Sequence, residues 1–334
     1  MTHELKAIIT AYEAAKIEEV KSVLATVVAL DGSSYRRPGV RMLLLENGEM
    51  VGAVSGGCVE KEIIRQANSV FQEGVPKVMV YDGRYRLGCE GILYILIEPF
   101  QPDSEFLEVF WETIKNRNTF FIESFYEKNH SESIGYGSRF LFEEKEYLLN
   151  PSVEKQNIEI FQQELSPCFQ LVIIGAEHDA VQLCKLASLV GWEVTVIVNP
   201  REEKTAHHFP GIHSFLQQEP ENLDVFLDEQ TALVLMTHSF VKDLGYLLAL
   251  KDKKYAYLGL LGPMQRREKL FDEIMERHSD ISEEFLESIH GPAGIDVGAE
   301  TPQEISNSII SEILAVVRQV EPRLLKEKLG KIHN

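Results

Sequence analysis

The chain is short of cysteine, of positive charge and of long hydrophobic runs, and each shortage removes a class of protein. Four cysteines among 334 residues, Cys58, Cys89, Cys168 and Cys184, lie far apart with no disulfide-framework rhythm, so the sequence predicts a reducing, cytoplasmic setting. Lysine and arginine number 33 against 52 aspartate and glutamate, a formal net charge of −19. That balance argues against nucleic acid or an anionic membrane as partner, because phosphate binding needs basic patches. Local basic clusters can still take a small anion. No stretch approaches the ~20 apolar residues of a membrane span. The first twenty residues read as an amphipathic charged helix, not as a secretory leader. What remains, 44% hydrophobic and 25% charged, is the balance of a soluble globular protein, with length for two domains.

The pattern along the chain predicts an α/β protein in two parts. In the first half a helix over 2–19 precedes a strand over 21–30, the loop "DGSSYRRPGVR" and a hairpin turning at Asn47-Gly48. A helix follows over 55–74 with a glycine-rich start and Gly74 at its exit. Strands at 76–82 and 91–99, a helix near 101–117 and two or three strands over 118–149 complete a mixed α/β domain over 1–160. The polar, proline-bounded stretch from about 150 reads as a linker. From 161 to 334 the rhythm becomes strand, helix, strand, which predicts a Rossmann-like, doubly wound parallel sheet. Its last helix is marked by Thr301 as N-cap, Pro302 at N1 and Glu304 at N3. The tail from Arg323 reads as a solvated helix.

Within that second half, "LVIIGAEHDAVQLCKLASLVGWEVTVIVNP" nearly carries a dinucleotide-binding fingerprint. The pattern Gly-x-Gly-x-x-Gly/Ala is met at Gly175 and Ala180, with Ala176 between the glycine positions. Glu177, however, stands where the second glycine lets a pyrophosphate approach the helix N-terminus. Asn199, at the end of the next strand, replaces the acidic residue that would hold a ribose. The frame is therefore expected to be structural, with NAD(P) bound weakly or not at all. Thr237, His238 and Asp243 lie just beyond a later strand, at the end where open α/β sheets bind ligands. They read equally as a satisfied loop histidine with an ordinary helix carboxylate.

In the first half, "AVSGGCVEKEI" places Cys58 at a helix start behind Ser55, Gly56 and Gly57. Unpaired amides and the helix dipole there favour a thiolate or a bound anion. Upstream, "SSYRRPGVR" carries Arg36, Arg37 and Arg41, whose forks bind phosphate bidentately. Downstream, "RLGCEGIL" offers Cys89 between glycines. Singly, a small buried thiol, a solvated basic turn and a turn glycine account for each feature. Together they suggest a functional site as readily as a structural one. Cys184, on the apolar side of a helix, reads as core.

At these residues the chain resembles the XdhC/CoxI family, the accessory factors of xanthine dehydrogenase and related molybdenum hydroxylases. The stretch "GSSYRRPGVRMLLLENGEMVGAVSGGCVEKEI" is similar to the family's first-domain signature, and "LGCEGILYILIEP" to its second. The stretches "MTHSFVKDLGYL", "YLGLLGPMQRREKL" and "HGPAGIDVGAETPQEISNSI" are similar to its Rossmann half. Relatives usually carry Gly-Ala-Gly in the first turn, so Glu177 departs from the family pattern too. The resemblance implies a maturation factor that binds molybdenum cofactor, protects it while its sulfido ligand is installed, and hands it to an apo-hydroxylase. It implies a cytoplasmic homodimer, with a sulfur donor as a further partner. Cys58 is the expected contact to cofactor, sulfur or molybdenum, with Cys89 next. Arg36, Arg37 and Arg41 would take the anionic end, and Ser55, Gly56 and Gly57 would cradle it. Gly175, Ala176, Glu177, Thr237, His238 and Asp243 are the candidates of the second domain. Two alternatives stay open: an NAD(P)-dependent oxidoreductase using the Rossmann half, and a thiol redox or sulfur-transfer protein using Cys58 and Cys89. The hydroxylase itself is excluded, because its two iron–sulfur clusters take about eight cysteines.

Overall fold

The structure, a computed structural model, describes all residues except 33–36, 86–90, 144, 154–157, 279 and 329–334, together with the side chains of Cys58 and Tyr85. The chain divides into two compact units, Met1–Pro167 and Cys168–Asn334. Among the described residues no helix is long and apolar enough to cross a membrane.

The first unit runs α1 (Thr2–Ile17), β1 (Ser22–Asp31), β2 (Arg41–Leu45), β3 (Met50–Gly52), α2 (Cys58–Glu73), β4 (Lys77–Asp82), β5 (Ile92–Pro99) and α3 (Ser104–Lys115). It continues β6 (Phe120–Tyr126), β7 (Ser131–Glu132), β8 (Gly137–Phe142), β9 (Lys145–Leu148) and β10 (Glu159–Leu165). One sheet has the order β3-β2-β1-β5-β4-β7 and a second β10-β6-β8-β9. The run "SVLATVVALD" of β1 does not alternate because both faces of its sheet are covered. On one face, Val59, Ile63, Ala67 and Val70 of α2 pack against Val23, Ala25, Val27, Met42 and Leu44. On the other, Leu24 and Leu43 join α1, α3 and the second sheet around Phe106, Phe110, Phe120, Phe140 and Phe142. Phe106 meets Phe140 edge-on at 5.0 Å, a favoured aromatic geometry. Between the sheets lies a buried polar layer of Thr26, Arg41, Glu98, Ser124, Ser138 and Gln163.

Two sequence expectations are corrected here. The stretch predicted as a linker from about 150 contains β10, which pairs antiparallel along its whole length with β6, from Leu165↔Phe120 to Glu159↔Tyr126. Its edge-strand position exposes alternate residues, which is why it reads as polar. The tail is not a helix over its described part, which holds one 3-10 turn at Leu325–Glu327 and no buried residue.

The second unit runs β11 (Gln170–Ile174), α4 (His178–Leu189), β12 (Glu193–Val198), β13 (Ser214–Gln217), β14 (Thr231–Leu235), α5 (Phe240–Leu250) and β15 (Tyr257–Leu260). Then come α6 (Met264–Arg277), α7 (Glu283–Glu287), β16 (Ile289–His290) and α8 (Pro302–Val317). Every strand pairs parallel, in the order β13-β12-β11-β14-β15-β16. Helices α4 and α8 cover one face and α5, α6 and α7 the other, the doubly wound arrangement the rhythm predicts. Helix α8 is capped as its sequence reads: Thr301 Oγ1 accepts from Glu304 N, and Glu304 Oε2 accepts from Thr301 N at 2.9 Å.

Candidate functional site

In the first unit the residues of interest gather where β3 gives way to α2. Gly57, with φ of 115°, turns the chain into the helix, a conformation glycine adopts without strain. Among the described residues, chain neighbours apart, nothing lies within 4 Å of where a side chain at Gly56 or Gly57 would begin. The amides, however, are not the free cradle the sequence suggests. Glu60, third in the helix, folds back and accepts from Ser55 N at 2.5 Å, Ser55 Oγ at 3.0 Å and Gly57 N at 2.7 Å. Burial pushes the Glu60 carboxyl up, but these hydrogen bonds together outweigh it and hold the group below its ordinary value. A carboxylate of the protein's own therefore sits at the positive end of α2. The Gly57-x-x-Glu60 spacing of a capping box is the signal that would have revealed it.

The arginines separate. Arg37 is exposed, and Arg36 lies outside the described residues. Arg41, expected to reach an anion with them, is instead buried in β2, opposite Thr26. Its Nη1 donates to Gly39 O at 2.9 Å and Gln163 Oε1 at 2.5 Å, while Nε and Nη2 are buried without a partner among the described residues. Burial pulls its guanidinium down to about 10. The reason is register: antiparallel pairing with β1 turns Arg41 to the face between the sheets. Cys89 and the Cys58 side chain lie outside the described residues. Cys184 is fully buried, its thiol pushed up to about 12 by desolvation, and Cys168 is buried.

In the second unit a small cleft opens at the C-terminal ends of β11, β12 and β14, lined among others by Gly175, Glu177, Asn199, Glu202, Thr237 and Lys242. This is the point where the strand order reverses, the usual crevice of such sheets. Gly175, with φ of 141°, leaves no room for a side chain, which would collide with the Met236 carbonyl. Glu177 is the N-cap of α4 but makes no capping bond through its side chain. Lys204, from the loop after β12, donates to Ala176 O and stands 3.9 Å from Glu177. The lysine and the carboxylate together lie over the turn that a pyrophosphate would cross. Sequence reading missed Lys204, because nothing in a loop's composition says which turn its side chains reach.

Of the three candidates after β14, Asp243 is spoken for. It is 1% exposed, accepts from Thr237 Oγ1 at 2.6 Å on one oxygen and from Arg266 Nη2 at 2.5 Å on the other. It acts as a pin between the β14 loop, α5 and α6 rather than as a ligand contact. Thr237 lines the cleft. His238 adopts φ of 56° and places Nε2 3.5 Å from Asp179 Oδ2. Among the described residues no three metal-ligating side chains come together.

Comparison with known proteins finds relatives along most of the chain. A Bacillus subtilis protein, named as a probable component of xanthine dehydrogenase, is 25% identical over 91% of this chain and 95% of its own length. The molybdenum cofactor insertion chaperone PaoD of Escherichia coli is 23% identical over 88% of this chain and 83% of its own. A crystal structure of a xanthine dehydrogenase from Bacillus halodurans superposes with a TM-score of 0.77 at 26% identity, covering 96% of this chain and 98% of that one. Residues 171–313 match the XdhC Rossmann domain and residues 18–82 match the XdhC and CoxI family. With both halves so matched, the chain belongs to the XdhC and CoxI family.

Proposed function

We propose that this protein binds molybdenum cofactor and delivers it, sulfurated, to an apo-hydroxylase such as xanthine dehydrogenase. The observation that carries the reading is the match over most of both chains to a molybdenum cofactor insertion chaperone. The first unit supports it in part. Among the described residues none beyond the chain neighbours crowds the Cβ positions of Gly56 and Gly57, which leaves the start of α2 open to approach, and Arg37 is exposed nearby in sequence. The amides of Ser55 and Gly57 are engaged by Glu60, so holding the ligand falls to the Cys58 thiol and to Arg36 and Arg37. Cys89 is the second thiol of the proposal. Bound there, the cofactor would supply a soft, sulfur-bound metal suited to a thiolate and a phosphate suited to arginine.

The test is molybdenum content after gel filtration of the pure protein mixed with molybdenum cofactor. Wild type should co-elute with molybdenum, Cys58→Ala should lose most of it, and Cys168→Ala, altering a buried thiol, should behave as wild type. Arg36→Ala should weaken retention most at low salt, where screening is least. Equal retention by the Cys58 variant and wild type would make that thiol structural.

A further inference from the structure

Three of the four side-chain polar atoms buried without a partner among the described residues lie in one layer of the first unit: Thr26 Oγ1, and Nε and Nη2 of Arg41. Register sets them side by side. Thr26 of β1 stands opposite Arg41 of β2 and Leu96 of β5. Glu98 follows Leu96 by two residues, so it projects from the same face. Strands two apart lie roughly 10 Å from each other, a gap that an arginine and a glutamate span when they lean together. Glu98 is fully buried and accepts from Ser138, from N at 2.8 Å and Oγ at 2.6 Å. Arg41 acts on it through its charge, without a hydrogen bond.

The empty edge of Arg41 is the one with which other arginines of this protein hold carboxylates. Nε and Nη2 of Arg84 bind Asp82 at 2.9 and 2.6 Å. The same two nitrogens bind Glu123 in Arg139 and Asp243 in Arg266. Their N–H groups form a fork that matches a carboxylate. In Arg41 it is Nη1 that is used, on the neutral oxygens of Gly39 and Gln163. A charged acceptor binds a guanidinium more strongly than either, and Glu98 is the carboxylate of this layer. The other polar members facing the pair, Thr26 of β1, Ser124 of β6, Ser138 of β8 and Gln163 of β10, carry no charge. Among the described residues, each of the two charges is the only one acting on the other.

We propose that this layer is a proton-operated switch: when Glu98 loses its proton, the free edge of Arg41 crosses to the carboxylate, and Nη1 gives up Gly39 and Gln163. The open arrangement belongs to the protonated acid, which needs no counter-charge. Loss of the proton leaves a buried charge that two bonds from Ser138 do not neutralise, and such a charge is costly unless paired. Closing gives all three orphaned atoms a partner at once, with Thr26 Oγ1 donating to the carboxylate from between. Burial sets the working range. It lifts Glu98 to about 7 and lowers Arg41 only to about 10, so between those values both are charged. What changes is the fastening of β2 to β10, because Gly39 leads into β2 and Gln163 lies in β10. The inference does not rest on the cofactor reading.

NMR titration of the full-length protein from about pH 5 to about pH 9 tests it, following the Glu98 carboxyl carbon, Arg41 Nε–H and the Gln163 side-chain amide. All three should shift together, with one midpoint near 7. Exchange of the Arg41 Nε proton with water, corrected for hydroxide catalysis, should slow about tenfold above that midpoint, because the proton gains a partner. In Glu98→Gln the Arg41 and Gln163 signals should lose their pH dependence; should that variant fail to fold, the wild-type titration decides alone. A Glu98 carboxyl that does not titrate in this range, or one that titrates while the Arg41 and Gln163 signals stay still, would overturn the proposal.

Discussion

Glu98 shows what burial does to a single side chain. It is fully buried, and desolvation pushes its carboxyl up to about 7, against the pull of two hydrogen bonds from Ser138 and the charge of Arg41. A raised carboxyl binds its proton more tightly in the folded state. Its contribution to stability is therefore full below the ordinary value of 4.5, is lost as pH rises towards 7, and changes no further above that. Glu98→Gln keeps an acceptor for Ser138 and removes the titration. Denaturation at pH 5 and pH 8 should find the variant gaining on wild type by roughly 3 kcal/mol across that interval; an unchanged difference would contradict the account. At the other unit's turn, Glu177→Gly removes bulk and charge from the path of a pyrophosphate and releases Lys204. Calorimetry should detect little NAD binding to wild type and tighter binding to the variant, whereas micromolar affinity of wild type would refute this reading of the crevice.

At the scale of elements, the proposed role of Cys58 ties its reactivity to the start of α2. Glu60 brings a negative charge to the helix end that would otherwise favour a thiolate. Glu60→Gln keeps an acceptor for the amides while removing that charge, so alkylation of Cys58 by iodoacetamide should quicken several-fold at neutral pH; an unchanged rate would separate the thiol from the helix end. Periodicity and capping made most elements legible: the Thr301 box, the Gly74 exit with φ of 70° and the parallel rhythm from β11 are local signals. What was not legible depends on pairing partners. The polar sequence of β10 gave no sign of its place beside β6, and Arg41 follows a basic loop yet is turned inward by its register with β1. Likewise, Asp243 reads as a crevice carboxylate until Arg266, 23 residues on, is seen to claim it.

Across the whole molecule, a net charge of −19 repels an anionic ligand at a distance, so the proposed cofactor capture would depend on short-range contacts at a local basic loop. Each unit holds its own hydrophobic cores, and the two candidate places lie on different units. The central claim, delivery of molybdenum cofactor, is a property of the full chain and is tested most directly by transfer. The protein loaded with sulfurated cofactor is freed of excess by gel filtration and mixed with apo-xanthine dehydrogenase, and hydroxylase activity is followed against time. The account predicts activity that rises in proportion to the loaded protein and is largely absent with Cys58→Ala; activation no greater than that given by the same amount of free cofactor would contradict it.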